Sequence, residues 1–241
     1  MKNKSAITAE QVKTIVCDYL SCGPKSWEDV DAIEALAEDV LHNEKKIYDN
    51  AAYVWVGLNA FRKYSRMMMH ATKKAVHNAK CILDFGAGIG ASTIVLKQLY
   101  PDAKVIYYDI SKPERKFAKF LSERTGIDIT FANTLTDCAE ADLVCASEVF
   151  ERIENCVDIQ NDIVQIVSPK YFSIANAFGA VALGHFPEFK VGKEIVSRKK
   201  IGRVFNNNLR AALYTQMPIH FWNNRPAVWE LKKSLIKKCR I

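Results

Sequence analysis

The segment Leu83-Asp84-Phe85-Gly86-Ala87-Gly88-Ile89-Gly90 constrains the fold of this chain more than any other. A short apolar run leads into it, three glycines stand at alternate positions, and an amphipathic stretch over residues 92–100 follows. Glycines at such a junction let the backbone turn tightly between a strand and a helix, and let a ligand come closer than a side chain would allow.

The residues downstream repeat the same alternation. Short apolar runs at 81–84, 104–109, 127–132, 141–146 and 171–175 read as strands, and amphipathic stretches at 92–100, 112–125 and 157–167 as helices. That is the pattern of a parallel sheet covered on both faces. Residues 189–196 read as a hairpin turning at Gly192-Lys193, followed by a helix around 206–214 and one or two final strands within 219–231. The first eighty residues read as helical. Val12, Ile15, Val16, Tyr19 and Leu20 keep helical spacing until Cys22-Gly23-Pro24, and Ser26 with Asp29 three positions on can cap a second helix. The stretch 48–77 carries Tyr53, Trp55, Phe61, Arg62, Tyr64 and Arg66, an aromatic and basic set able to form a lid or simply to pack. No linker separates the two textures, so residues 1–80 are expected to form a helical cap on a core over 81–241 that carries a hairpin insertion near 186–200.

Composition narrows the partners. The net charge of +7 is concentrated in Arg198, Lys199, Lys200 and Arg203 and in Lys232, Lys233, Lys237, Lys238 and Arg240. A solvated basic face accounts for it, and a polyanionic partner is the alternative. The seven cysteines are odd in number, include no Cys-x-x-Cys pair and mostly lie in apolar runs, which reads as reduced thiols in a cytoplasmic protein. The five histidines are scattered, so no metal is expected. The longest nearly apolar stretch, 51–61, is broken by Gly57 and Asn59 and is too short to span a bilayer, and no N-terminal signal is visible, so no membrane association is expected.

Two cofactors fit the glycine turn. Gly86-x-Gly88-x-x-Ala91 satisfies the dinucleotide fingerprint with alanine in third place. Asp84 argues the other way, because a carboxylate just before the first glycine opposes a pyrophosphate, whereas S-adenosylmethionine presents an ammonium and a sulfonium and no phosphate. Asp109, ending the second strand, can accept both ribose hydroxyls of either.

The same residues resemble a known family. Leu83 to Gly90 looks like the first motif of class I S-adenosylmethionine-dependent methyltransferases, and Asp109 matches their ribose-binding acid. Ala141-Asp142-Leu143-Val144-Cys145-Ala146-Ser147-Glu148-Val149-Phe150-Glu151-Arg152-Ile153 is similar to the fourth-strand segment of their small-molecule branch, with Arg152 where His often stands. The resemblance covers about 81–176. It implies an α/β fold, a Rossmann-like, mostly parallel seven-stranded sheet with helices on both faces, here with the N-terminal helical cap. It implies S-adenosyl-L-methionine as cofactor, held by Asp84, Phe85, Gly86, Ala87, Gly88, Gly90, Asp109 and Ile110. Asn133 and Thr134 then face the adenine, Asn133 standing where an acid is often found, and Ser147, Glu148 and Phe150 line the methyl end.

Methyl transfer from a sulfonium needs alignment more than electrophilic help, and a base only where the acceptor carries a proton. Glu148 and His185 are the candidate bases, and Tyr53, Arg62 and His185 the candidate acceptor contacts. A small-molecule acceptor is the leading expectation. The runs typical of DNA-base methylation are missing, since Ser147-Glu148-Val149-Phe150 replaces an Asp/Asn-Pro-Pro-aromatic run and no Pro-Cys nucleophile motif occurs. Methylation of a nucleic acid tracked by the basic residues, and a non-catalytic binding protein of the same fold, are the alternatives. Phe221-Trp222-Asn223-Asn224-Arg225-Pro226 reads as a turn or as a stacking surface for a planar substrate.

Overall fold

A computed structural model describes residues 6–41, 51, 53–219 and 227–232. From Cys81 onward apolar side chains alternate between two cores, and this alternation fixes the sheet. In β1 (Cys81–Phe85) Ile82 enters one core while Leu83 and Phe85 enter the other. The same period-two switch places Val105 and Tyr107 of β2 (Lys104–Tyr108) opposite Ile106, and Leu143 and Cys145 of β4 (Leu143–Ser147) opposite Val144 and Ala146. With β3 (Thr130–Phe131), β5 (Tyr171–Ala175), β8 (Tyr214–Gln216) and β9 (Ala227–Leu231), they form a seven-stranded sheet in the order β3-β2-β1-β4-β5-β9-β8. The first five are parallel, while β9 runs antiparallel to β5 and to β8. β6 (Glu188–Val191) and β7 (Glu194–Ser197) form a separate hairpin.

The chain steps outward from β1 to β2 and β3, then returns to place β4 on the other side of β1. The segments that leave the carboxyl ends of β1 and β4 therefore depart to opposite faces, and a crevice opens where the strand order reverses, the place where open α/β sheets bind ligands. On one face lie α5 (Ala91–Leu99) and α6 (Lys112–Thr125), sharing a core with the N-terminal helices. The other face carries α7 (Cys156–Ile166) and α8 (Arg198–Ala211).

Local signals account for the N-terminal helices. Thr8 and Gln11 close a capping box on α1 (Ala9–Tyr19), and Ser26 and Asp29 exchange backbone-to-side-chain bonds of 2.8 and 3.1 Å at the start of α2 (Trp27–Leu41). The expected long helix over 48–77 is α3 (Tyr53–Ala60), a π-helical turn at Phe61–Ser65, and α4 (Arg66–Ala75). Val12 and Val16 of α1, Leu58 of α3 and Met68 of α4 are completely buried in the core shared with the sheet.

Three boundaries differ from the sequence expectation. The third strand pairs with β2 only through Thr130 and Phe131, since Gly126 takes a left-handed cap to end α6 just before it. The helix expected around 206–214 starts at Arg198, because Ile201, Phe205 and Leu209 recur every four residues against the core, so the basic run forms its first turns. It stops at Ala211, and Tyr214 begins β8. The segment 221–226 lies outside the described residues, as do Cys239 and all of the basic tail but Lys232. Among the described residues six cysteines are free, no group of His, Cys, Asp and Glu is arranged to hold a metal, and no helix is long and apolar enough to cross a membrane.

Candidate active site

The crevice at the strand ends is a cavity of about 160 Å³. The glycine turn forms its floor, and the residues after β2 and β4 form its walls. Tyr53, Val56, Gly57, Ala60, Phe61 and Ser65, on one face of α3 and the π turn, roof it. Helical spacing carries that face from Tyr53 to Phe61, and the wider π turn carries it on to Ser65. The roof comes close to the floor at Gly57, where a Cβ would lie 2.6 Å from Ile89 Cγ2 and 2.8 Å from Glu114 Oε1. Gly88, at φ +52°, turns the loop in the left-handed region.

Asp84 lines the cavity but is only 2% exposed, so it sits beneath the loop rather than at an open mouth. Its Oδ2 accepts bonds of 2.7 Å from the hydroxyls of Ser92 and Thr93 at the start of α5. Burial pushes its carboxyl up to about 6, against the pull of those two hydroxyls. Asp109 stands across the loop. Its Oδ2 accepts the Gly88 N–H at 2.8 Å and its Oδ1 the Ser111 N–H at 2.7 Å, so the acid at the end of β2 both orders the loop and faces the cavity. Burial raises its carboxyl as well, and backbone donors at Ser111, Gly88 and Ile110 oppose the rise. Ile110 beside it is 77% exposed, an apolar edge at the cavity rim.

At the end of β4, Ser147 Oγ lies 3.0 Å from Ser65 Oγ, joining the sheet to the roof. Glu148 follows at φ +57°, a left-handed conformation that costs a non-glycine residue about 1–2 kcal/mol. The strain is held by its N–H bond of 2.7 Å to the Ala175 carbonyl, and it points the chain so that Ser147, Glu148 and Val149 all line the cavity. Arg152 donates to Tyr53 Oη at 2.7 Å, to the Leu183 carbonyl at 2.6 Å and to the Glu148 carbonyl at 3.2 Å. The position where a histidine was expected thus fastens α3 to the loop after β5.

The structure gathers Asp84, Phe85, Gly86, Ala87, Gly88, Asp109, Ile110, Ser147, Glu148 and Tyr53 around one cavity. It places the other candidates elsewhere. Phe150 is fully buried on the far side of the sheet, stacked on Phe85 at 5.7 Å and tilted against Phe205 at 4.7 Å. Gly90 caps the N-terminus of α5 and packs on Ala118. Arg62 is drawn to Asp31 at 2.6 Å and lies over the Trp27 ring. Asn133 and Thr134 give their N–H groups to Asp137, in a turn where Asn133 Oδ1 accepts from Arg115 at 2.9 Å. The His185 ring lies 3.2 Å from the Ala180 carbonyl, outside the cavity lining, and burial together with Arg152 lowers its pKa. Sequence reasoning missed Glu114, Gly57 and Ser65. Only the Ser111-x-x-Glu114 spacing carries a signal, and that signal reads as an ordinary helix start.

The methyltransferase domain family matches residues 83–172. No curated protein sequence matches the chain. Among solved structures, the mitomycin 7-O-methyltransferase MmcR is 14% identical and aligns over 85% of this chain and 66% of its own, with a TM-score of 0.52. EvdMO1 is 15% identical over 70% of this chain, which spans only 40% of that one, with a TM-score of 0.48. Magnesium protoporphyrin IX methyltransferase from Synechocystis PCC 6803 is 13% identical over 82% of this chain and 95% of its own, with a TM-score of 0.48. Residues 83–172 thus resemble a methyltransferase domain, and the chain shares the fold of the mitomycin 7-O-methyltransferase.

Proposed function

We propose that the chain transfers a methyl group from S-adenosylmethionine to a small-molecule acceptor enclosed between the glycine loop and α3. The observation that carries this reading is the roofed cavity itself. The glycine loop with Asp84 and Asp109 lines one part of it, and Tyr53, Val56 and Phe61 line the other. The residues present fit the donor. Asp109 offers acceptors to a ribose, the close-packed glycines leave the loop backbone bare, and Asp84 supplies negative charge beneath it where a pyrophosphate would be repelled. The donor brings an electrophilic methyl group on a sulfonium. The chain's own part is to align and enclose, which can contribute about 7–11 kcal/mol relative to free encounter. Val56, Ala60, Phe61 and Val149 exclude water, and Ser65 and Ser147 present hydroxyls at the end of β4. Where the acceptor carries a proton, Glu148, which lines the cavity, takes it as the base, and helices α1–α4 act as the cap.

The basic residues favour the small-molecule reading over the nucleic-acid one. Lys193, Lys199, Lys200 and Arg203 lie on the hairpin and α8, and none lines the cavity. The mitomycin 7-O-methyltransferase that shares the fold acts, by its name, on a small molecule. The test is transfer of isotope-labelled methyl groups in the presence of a metabolite extract and, separately, of total RNA. Label is expected in the low-molecular-weight fraction. Label in RNA, with activity falling steeply as salt rises, would establish the alternative.

A further inference from the structure

Two cysteines meet where the Cys22-Gly23-Pro24 signal stops α1. The helix closes there as a Schellman motif. Ser21 takes the left-handed conformation at φ +51°, its N–H bonds the Asp18 carbonyl at 3.2 Å, and the Cys22 N–H reaches back to the Cys17 carbonyl at 3.0 Å. In this motif the side chains at the two ends of the longer bond commonly lie against each other. Here both carry sulfur, and Cys17 and Cys22 share a side-chain hydrogen bond and one core. The 3.0 Å bond also bounds the backbone, since standard bond lengths then keep the two Cα atoms within about 7 Å, inside the limit beyond which no disulfide forms. Among the described cysteines Cys22 alone is partly exposed. Burial drives the thiols of Cys81 and Cys138 up to about 11, that of Cys156 to about 12 and that of Cys145 well above its ordinary value, so these four stay inert.

We propose that Cys17 and Cys22 form a dithiol modification site in the helical cap, which a small organic disulfide oxidises to an intramolecular disulfide. The reaction runs in two exchanges. The Cys22 thiolate attacks one sulfur of the small disulfide, forming a mixed disulfide and releasing one small thiolate. The Cys17 thiolate then attacks the Cys22 sulfur, and the second small thiolate leaves. The protons lost by the two cysteines pass to the two small thiolates, so two S–H bonds of the protein become one S–S bond while the small disulfide is reduced to two thiols. Exposure sets the order, because Cys17 is only 6% exposed and shielded from an external reagent. Burial and the neighbouring Cys22 sulfur raise the Cys17 thiol above its ordinary value, whereas the Lys25 N–H and the Lys13 ammonium, one helical turn earlier, oppose the rise. Those two groups support the Cys17 thiolate in the second exchange. Closure fastens the end of α1 to the segment that leads into α2, and a dithiol reductant reverses it. None of this depends on which donor the glycine loop binds.

The test is incubation of the native chain with oxidised glutathione, followed by acid quenching, unfolding, alkylation and tryptic mapping. Both cysteines fall in one tryptic peptide, residues 14–25. In wild type that peptide should lose both alkylatable thiols, with a mass lower by two hydrogen atoms than the dithiol form, and should regain them with dithiothreitol. Cys17→Ala should stop at the mixed disulfide, with glutathione on Cys22. Cys22→Ser changes a partly exposed position and leaves the buried partner in place, so it keeps the test decisive even if Cys17→Ala fails to fold. In that variant Cys17 should stay unmodified under the same exposure and become alkylatable on unfolding. A wild-type peptide that keeps both thiols, or that carries glutathione on Cys22 without closing the disulfide, overturns the proposal. So does a glutathione adduct on Cys17 in Cys22→Ser that forms as fast as the wild-type disulfide.

Discussion

Gly90→Ala should destabilise the fold by about 2–5 kcal/mol. Gly90 sits at φ +75°, where a side chain costs about 1–2 kcal/mol. A Cβ there would stand 2.7 Å from Ala118 Cβ and 3.3 Å from Ala118 Cα. The obstacle includes backbone of α6, so α5 and α6 must separate, and such overpacking costs about 1–3 kcal/mol more. For a domain of this size the melting temperature should fall by roughly 5–15 °C. Gly86→Ala makes the contrast. Its φ of +65° is as demanding, but its Cβ would meet side-chain atoms of Val149 only, at 2.5, 2.6 and 3.2 Å, in a loop that can shift without parting two helices, so the loss should be smaller. Thermal melts of the two variants check the order, and equal, wild-type-like melting would contradict the geometry of the turn.

The second large effect belongs to Asp84, and its sign is opposite for stability and for binding. Its carboxyl titrates at about 6 in the folded chain against 3.8 as the unperturbed value. The folded state therefore holds the proton more tightly. Above about pH 6 the buried carboxylate destabilises the ligand-free protein by about 3 kcal/mol, and that penalty fades as pH falls from 6 towards 3.8. Asp84→Asn should accordingly raise stability at neutral and alkaline pH and lose its advantage in acid. Binding should move the other way. The same substitution should weaken S-adenosylmethionine roughly 10–100-fold at neutral pH, the scale of one charge-assisted bond. In wild type, affinity should fall as pH drops below about 6, because the cationic donor requires the ionised carboxyl, and this component should vanish in Asp84→Asn. Melts and calorimetric titrations across that pH window check both signs. Identical pH profiles in the two proteins would mean that Asp84 serves only Ser92 and Thr93.

The core of the fold was legible in the sequence because its signals are short-range. Period-two apolar runs located β1, β2, β4 and β5 within two residues, and alternate glycines after a strand located the loop that Asp84 and Asp109 flank. Gly192 at φ +57° turns the hairpin where the Gly-Lys pair indicated. What escaped was set by distant parts of the chain. Arg62 looked available for a ligand, but Asp31 on a different helix holds it. Phe150 is one residue past Val149, yet the short helical turn after the strained Glu148 carries it through to the opposite core. Ser65 reaches the cavity at the end of a π turn, and no propensity marks that turn in advance. Glu114 has the spacing of a helix cap, and only the approach of the glycine loop and α3, far off in sequence, makes it line the cavity.

Beneath the binding effect at Asp84 is the claim that this loop holds a phosphate-free, positively charged adenosyl donor. Calorimetric titration of the wild-type chain at neutral pH with S-adenosylmethionine, and separately with a nicotinamide dinucleotide, tests it most directly. A saturable isotherm with S-adenosylmethionine and no heat from the dinucleotide is the expected result. A dinucleotide that binds while S-adenosylmethionine does not would contradict it.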